Sequence, residues 1–450
     1  MAHDLDHIFK SYDIRGKVGS ELSPGIAKAV GQAFADWLPS SGTVAVGRDM
    51  RPDSAELASA VIDGLRQQGR DVIDIGEVTS DMIYFAVGHL KLAGGAMVTA
   101  SHNPGIYNGI KLCREEARPV GLEAGLADVR DNALDGNFKP ATTEGKLSSQ
   151  DITEAWIQHV LSFIDSDKLT ELKLAVDAGN GMAGKIFPEL EPYVPWDVHE
   201  MYFELDGTFP NHEANPLKFE TLTDMIEVIK QDGSFGGIAF DGDGDRAFLV
   251  DETGEVLTGG VMSAMLADYF LGLEPGASII YDARNSRSVP KIVSAKGGKP
   301  VITKVGHSNI KQVMRETNAP FGGEASGHFY FRDNWFADSG LIGAVIGVYV
   351  ATLSGKKLSE LRQQYTLYSA IPETNFEVAD KDAALTRIAT AFKDNTQATL
   401  DGLTVVIDDS TWFNVRASNT EPVMRLNAEA GSDEQLNKLV TKVTNLITGL

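Results

Sequence analysis

A chain of 450 residues is too long for one compact core and implies three or four domains at roughly 100–200 residues each. With 43% hydrophobic and 23% charged residues it has ordinary globular composition, and a formal net charge of −23 argues against general binding to nucleic-acid phosphates or anionic membranes. The single cysteine, Cys113, excludes an intrachain disulfide framework and a cysteine-rich metal site.

The N-terminal MAHDLDHIFK lacks the basic-then-apolar pattern of a secretory signal, so a cytoplasmic setting is expected. Three segments then repeat one rhythm of β-rich run, polar or glycine-bearing turn and helical stretch. The first passes from TVAV (Thr43–Val46) through GRDMRPDS and ELASAVIDGLRQQG to VIDIG, with a further strand at Gly95–Thr99. Residues Asp131–Gln150, rich in Gly, Thr, Asn and Ser, read as a linker. The second segment opens at Leu172–Gly184 and closes on Phe235–Val250; the third opens at Ala277–Val289 and closes on APFGGEASGHFYF. Such alternation predicts α/β units with mixed or parallel sheets, and ligands bind beyond the carboxyl ends of their strands. The apolar stretch Leu341–Leu353 is shorter than the roughly 20 residues needed to span a membrane. From about Thr374 the pattern becomes a helix (Asp380–Phe392), a β-rich run (Gly402–Ile407) and a final amphipathic helix (Glu434–Ile447). The expected division is three α/β domains over 1–150, 151–253 and 254–370, and a smaller α+β domain over 371–450.

Four polar clusters could carry chemistry. In DGDGDR (241–246), Asp241, Asp243 and Asp245 can converge on one hard cation such as Mg²⁺, the glycines allowing the tight path. An EF-hand loop is disfavoured because Arg246 stands where its glycine belongs and AFLV reads as a strand. In TASHNP (99–104), Ser101 follows a strand amid small residues; His102 should point away on an extended strand, making it a poor base. VRASNTEP offers the fork of Arg416 with the neutral donors of Ser418, Asn419 and Thr420, a set suited to phosphate or simply to a turn. In GGEASGH, Glu324, Ser326 and His328 alternate along what reads as an extended segment, presenting groups that hydrogen-bond sugar hydroxyls. Arg15, Lys111, Arg246, Arg284 and His307 complete the basic inventory.

In chain order, FKSYDIRG (Phe9–Gly16), TASHNP, YNGIK, DGDGDR, GEASGH and RASNTEP resemble the motifs of the α-D-phosphohexomutase family, in its phosphomannomutase/phosphoglucomutase branch. The resemblance covers nearly the whole length. It implies three related α/β domains and a smaller fourth around a central cleft, with phosphoserine, metal, sugar-recognition and phosphate-binding roles in that order. Ser101 would carry the phosphoryl group, and Asp241, Asp243 and Asp245 would hold one Mg²⁺ with it. Glu324 and Ser326 would contact sugar hydroxyls with His328 close by; Arg416, Ser418, Asn419 and Thr420 would clamp the distal phosphate. Arg15, Lys111, Arg246 and His307 would surround the reacting phosphate, with Tyr12 and Arg284 lining the sugar site. Lys111 would move the hydroxyl proton, its pKa lowered by neighbouring cations, with His307 the second choice.

The implied reaction interconverts mannose 6-phosphate and mannose 1-phosphate through a hexose 1,6-bisphosphate that also acts as activator. Glucose phosphates would be further substrates, and phosphoglucomutase or phosphoglucosamine mutase activity is the alternative. The implied partners are phosphorylated hexoses alone, with no nucleic acid or membrane, for a monomer or weak homodimer. Two departures bear on substrate preference: EVTSDMIYFA (77–86) lacks the family's frequent Thr-Pro step, and Arg284 stands where many relatives carry lysine.

Overall fold

The computed structural model describes residues 6–417 and 423–449, and they form four sheets in chain order. The first has Val44–Arg48 at its centre, parallel to Val72–Glu77 and Gly94–Val98; Tyr107–Arg114 runs antiparallel beside Gly94–Val98. Ile14–Lys17 closes that edge. The β-branched residues Val44, Val46 and Val98 are buried, as expected of strands covered on both faces. Two covering helices, Pro24–Trp37 and Ser54–Gln67, touch backbone to backbone: a Cβ at Gly31 would lie 2.4 Å from the carbonyl of Val61.

The segment read as a linker is more ordered than its composition suggests. Leu126–Asp135 is helical, and Leu147–Ser149 pairs parallel with Val72–Asp74 as the far edge of the first sheet. Main-chain pairing needs no apolar side chains, so this strand, exposed throughout, left no hydrophobic signal.

The second sheet runs Val256–Leu257, Ala247–Asp251, Gly236–Phe240, Leu172–Asp177, Trp196–Met201. The third runs Lys299–Thr303, Ser278–Asp282, Phe321–Gly323, Phe329–Phe331, Ala337–Asp338. Each is parallel over one half, out to an edge strand at Trp196–Met201 or Lys299–Thr303, and antiparallel over the other half. One continuous core joins these two sheets to a face of the first, through Phe85, Trp156, Val176, Leu249, Phe321 and Ile346. The fourth sheet is wholly antiparallel among its described pairs and has a separate core around Phe413, Leu426 and Val443.

Among the described residues no single helix is long and apolar enough to cross a membrane. The apolar helix Gly340–Ser354 lies in the shared core and breaks by 99° into Leu358–Tyr365.

Candidate active site

The loop after strand Gly94–Val98 turns on Ser101, whose φ of 50° lies in the left-handed region. A non-glycine residue there costs on the order of 1 kcal/mol and persists only where the surroundings over-determine it. They do so here through Arg51, which is buried and held by Asp49. Its guanidinium donates to the carbonyls of Ser101 (2.8 Å), Asn103 (2.6 Å), Pro104 (3.1 Å) and Tyr107 (2.8 Å). Thr99 Oγ1 accepts from the Ser101 amide at 2.9 Å.

The buried Ser101 Oγ donates to Asp241 Oδ2 at 2.9 Å and lies 3.1 Å from His102 Nδ1. The expectation that His102 points away fails because the left-handed turn breaks strand alternation and folds the imidazole back. Burial, then Arg246 and Arg15 nearby, hold its pKa well below the usual value, so the ring is neutral.

DGDGDR forms the turn between strands Gly236–Phe240 and Ala247–Asp251, the latter being the strand read from AFLV. Oxygens of Asp241, Asp243 and Asp245 lie within 4.8 Å of one another, all three buried. Asp243 Oδ2 accepts from Lys111 Nζ (2.7 Å) and Ser80 Oγ (2.5 Å), and Asp245 Oδ2 from Lys111 Nζ (2.6 Å). Arg246 Nε donates to Asp241 Oδ2 at 2.9 Å. Burial raises Asp241 to about 7 against the pull of Arg246; at Asp243 the opposite happens, Lys111 and the hydroxyl donors outweighing burial and holding it well below the usual range.

Asp243 Oδ1 and Asp245 Oδ1 are buried without a hydrogen-bond partner. Two orphaned carboxylate oxygens in an all-oxygen cluster are the donor set a hard divalent cation satisfies, so the residues fit Mg²⁺. Asp245 also belongs to a second group with His328 and Asp338.

Lys111 departs from expectation. Its immediate neighbours are carboxylates, and although burial opposes the charge, Asp243 and Asp245 hold its pKa well above the usual value. His307, half-buried, is lowered to about 3 by desolvation and by nearby Lys311, and is neutral. Arg15 donates to Asn103 Oδ1 at 2.8 Å and to Asp13 at 2.5 Å, placing it against the Ser101 loop.

Glu324, Ser326 and His328 do converge, though by a different route from the extended segment expected. The chain makes a tight turn, with the Glu324 amide donating to the His328 carbonyl at 2.9 Å. Ser326 Oγ then lies 2.9 Å from Glu324 Oε2 and 3.0 Å from His328 Nδ1. Burial opposes charge on His328, but Glu324 and Asp245 outweigh it and raise its pKa. His328 Nε2, 3.6 Å from Asp245 Oδ1, links this turn to the acidic loop. Glu324 Oε1 also accepts from the Gly306 amide at 2.9 Å, next to Tyr12, whose hydroxyl donates to the Val305 carbonyl at 2.9 Å.

Arg284 is anchored by Asp282 and, with Arg416 and Arg425, surrounds Glu373 at 3.4–3.6 Å. Ser418, Asn419 and Thr420 lie outside the described residues.

Glu373, Ser80, Asp49 and Arg51 were not anticipated. GRDMRPDS did show an Asp and an Arg two residues apart just after a strand, a pattern that could have singled out the latter pair. Nothing local marks Glu373, whose three partners come from two distant segments.

Models of the phosphoglucomutase/phosphomannomutase family match the chain in order: α/β/α domain I at residues 6–133, domain II at 154–254, domain III at 258–368 and the C-terminal domain at 373–446. A phosphomannomutase of Salmonella montevideo is 42% identical over 96% of this chain and 97% of its own length. A protein of Xanthomonas campestris pv. campestris named for phosphohexose mutases is 41% identical over 98% and 99%. A solved phosphoglucomutase/phosphomannomutase family protein from Burkholderia thailandensis aligns with a TM-score of 0.88 at 32% identity, covering 98% of this chain and 96% of that one.

Proposed function

Because the chain belongs to the phosphoglucomutase/phosphomannomutase family, we propose that it is a phosphomannomutase, interconverting mannose 6-phosphate and mannose 1-phosphate and also acting on glucose phosphates. The observation that carries this reading is the strained, buried Ser101, its Oγ 2.9 Å from an acidic loop with two orphaned carboxylate oxygens. A bare serine is a poor nucleophile, and a phosphorylated one needs its charge offset. Asp241, Asp243 and Asp245 would hold Mg²⁺, which when bound supplies that charge neutralisation to phosphoserine oxygens.

The protein's own groups do the positioning. Arg51 fixes the Ser101 carbonyl, and Ser80 fixes Asp243. Arg15, Lys111 and Arg246 supply fixed positive charge around the transferring phosphoryl group. The sugar is oriented by Glu324, Ser326, His328 and Tyr12, and its own phosphate by Arg416 and Arg284 together with Ser418, Asn419 and Thr420. In the forward half-reaction the P–O bond to Ser101 breaks as one forms to the sugar 1-hydroxyl, whose proton passes to the neutral imidazole of His307, because Asp243 and Asp245 keep Lys111 protonated. The resulting hexose 1,6-bisphosphate turns end for end and returns its 6-phosphoryl group to Ser101. Water would compete as acceptor, so the cleft must close around the bisphosphate.

Coupled assays on mannose 1-phosphate and glucose 1-phosphate, with Mg²⁺ and a trace of hexose 1,6-bisphosphate, test this. The expected result is formation of 6-phosphate from both sugars with little free phosphate. Release of free phosphate alone, or turnover confined to glucosamine phosphate, would overturn it.

A further inference from the structure

Arg114 and Arg118 stand directly opposite each other where Tyr107–Arg114 pairs antiparallel with Arg118–Pro119. Like charges in that register repel. The turn between them supplies one carboxylate to each, Glu115 to Arg114 at 3.2 Å and Glu116 to Arg118 at 2.7 Å. A third guanidinium, Arg315 of the helix His307–Thr317, approaches them and makes no ion pair among the described residues. Its donors go instead to the carbonyls of Glu116 (2.6 Å), Trp335 (2.8 Å) and Lys311 (3.4 Å), and its plane lies 4.7 Å from the Phe336 ring centroid. Carbonyls and a ring fix the position of this cation without cancelling its charge. Burial and then the neighbouring Arg118 accordingly push Arg315 down to about 10.

All three arginines line one cavity of about 840 Å³, together with Lys304 and Ser308. Ser308 Oγ and Arg118 Nε are buried donors with no hydrogen-bond partner. Of the carboxylates lining the same cavity, Asp401 already accepts from the Val305 amide, and Glu123 and Glu316 are exposed. In a chain of net charge −23 this is a local reversal of sign, built from forked donors that match phosphate oxygens.

We propose that this cavity is a second anion site, which binds a phosphate-bearing small molecule with its phosphate among Arg114, Arg118 and Arg315, and which meets the site built on Ser101 at Tyr12 but shares none of its proposed phosphate-binding cations. A sugar phosphate and a nucleotide carry the same chemistry. The test is calorimetric titration of the full chain with inorganic pyrophosphate in the Arg416→Ala background, which removes the main cation proposed for the substrate phosphate. Binding should persist there and weaken by about tenfold or more when Arg118→Gln or Arg315→Gln is added. The single variant Arg118→Gln should keep wild-type turnover, so failure of this site and failure of the mutase reading remain distinguishable. Arg315 also ties two segments together, and the half-exposed Arg118 covers the case in which Arg315→Gln does not fold. Displacement of pyrophosphate by glucose 6-phosphate identifies a sugar phosphate and displacement by ADP a nucleotide; either supports the site. Absence of binding, or binding indifferent to both substitutions, would overturn it.

Discussion

Around Ser101, groups from the first two sheets meet through buried contacts such as Ser80–Asp243 at 2.5 Å and Ser101–Asp241 at 2.9 Å, inside a seam that shares one core. At the other end, Arg284, Arg416 and Arg425 stand 3.4–3.6 Å from Glu373, two of them carried by a sheet with a core of its own. The first arrangement holds reacting atoms where small displacements are costly in rate. The second leaves Arg284 and Arg416 each with a buried Nε that has no hydrogen-bond partner, which suits the phosphate grip proposed for them. Among the described residues, the polar contacts of the C-terminal unit with the rest include Arg287 to Glu429, Val305 to Asp401, Tyr368 to Asp409 and Arg284 to Glu373.

This contrast predicts that damage at the two ends differs in kind. Ser101→Ala should cost turnover about 10⁴-fold or more with the thermal midpoint nearly unchanged, checked by the coupled assay and calorimetry. Asp243→Asn should lower kcat by about 10²–10³-fold and raise the Mg²⁺ concentration needed for half-maximal rate; chelating the metal should silence the wild type reversibly. At the other end, Arg416→Ala should raise KM for the sugar phosphate about 10–100-fold with a smaller change in kcat. A kcat effect at Arg416 as large as that at Asp243 would erase the distinction. Glu373→Gln, which removes the shared counter-charge from three guanidiniums, should raise KM only about threefold.

At the seam the effect falls on stability and not on rate. Asp81 accepts from Ser339 Oγ at 2.6 Å and from Thr79, and burial raises its pKa to about 7 despite those donors. A carboxyl raised on folding favours the folded state most below its unfolded value, and that contribution is lost as pH rises through about 7. Relative to Asp81→Asn, the wild type should therefore lose about 1–3 kcal/mol of unfolding free energy between pH 4 and pH 8, read by denaturant titration.

Much of this was legible because the signals are local. The three aspartates two residues apart needed only a turn to converge, and the strands flanking them were written in near-continuous apolar runs. What stayed hidden depends on partners far apart in the chain. His102 folds back because Ser101 takes a left-handed backbone that Arg51 stabilises, and no nearest-neighbour rule encodes that. Lys111 was expected among cations, but the strand carrying it points the ammonium at Asp243 and Asp245. Ser80 and Asp81, first seen only as a departure from a familiar Thr-Pro step, turn out to reach Asp243 and Ser339 across sheet boundaries. The edge strand Leu147–Ser149 is held by its main chain and so carried no side-chain pattern.

On the proposed mechanism Ser101 carries the phosphoryl group between the two half-reactions. Its most direct test is to load the protein with hexose 1,6-bisphosphate and Mg²⁺, map the phosphorylated residue by peptide mass spectrometry, and chase with excess mannose 6-phosphate. Phosphate should appear on Ser101 alone and be lost to the sugar with formation of bisphosphate. Phosphate on another residue, or full turnover by Ser101→Ala protein that never becomes labelled, would contradict it.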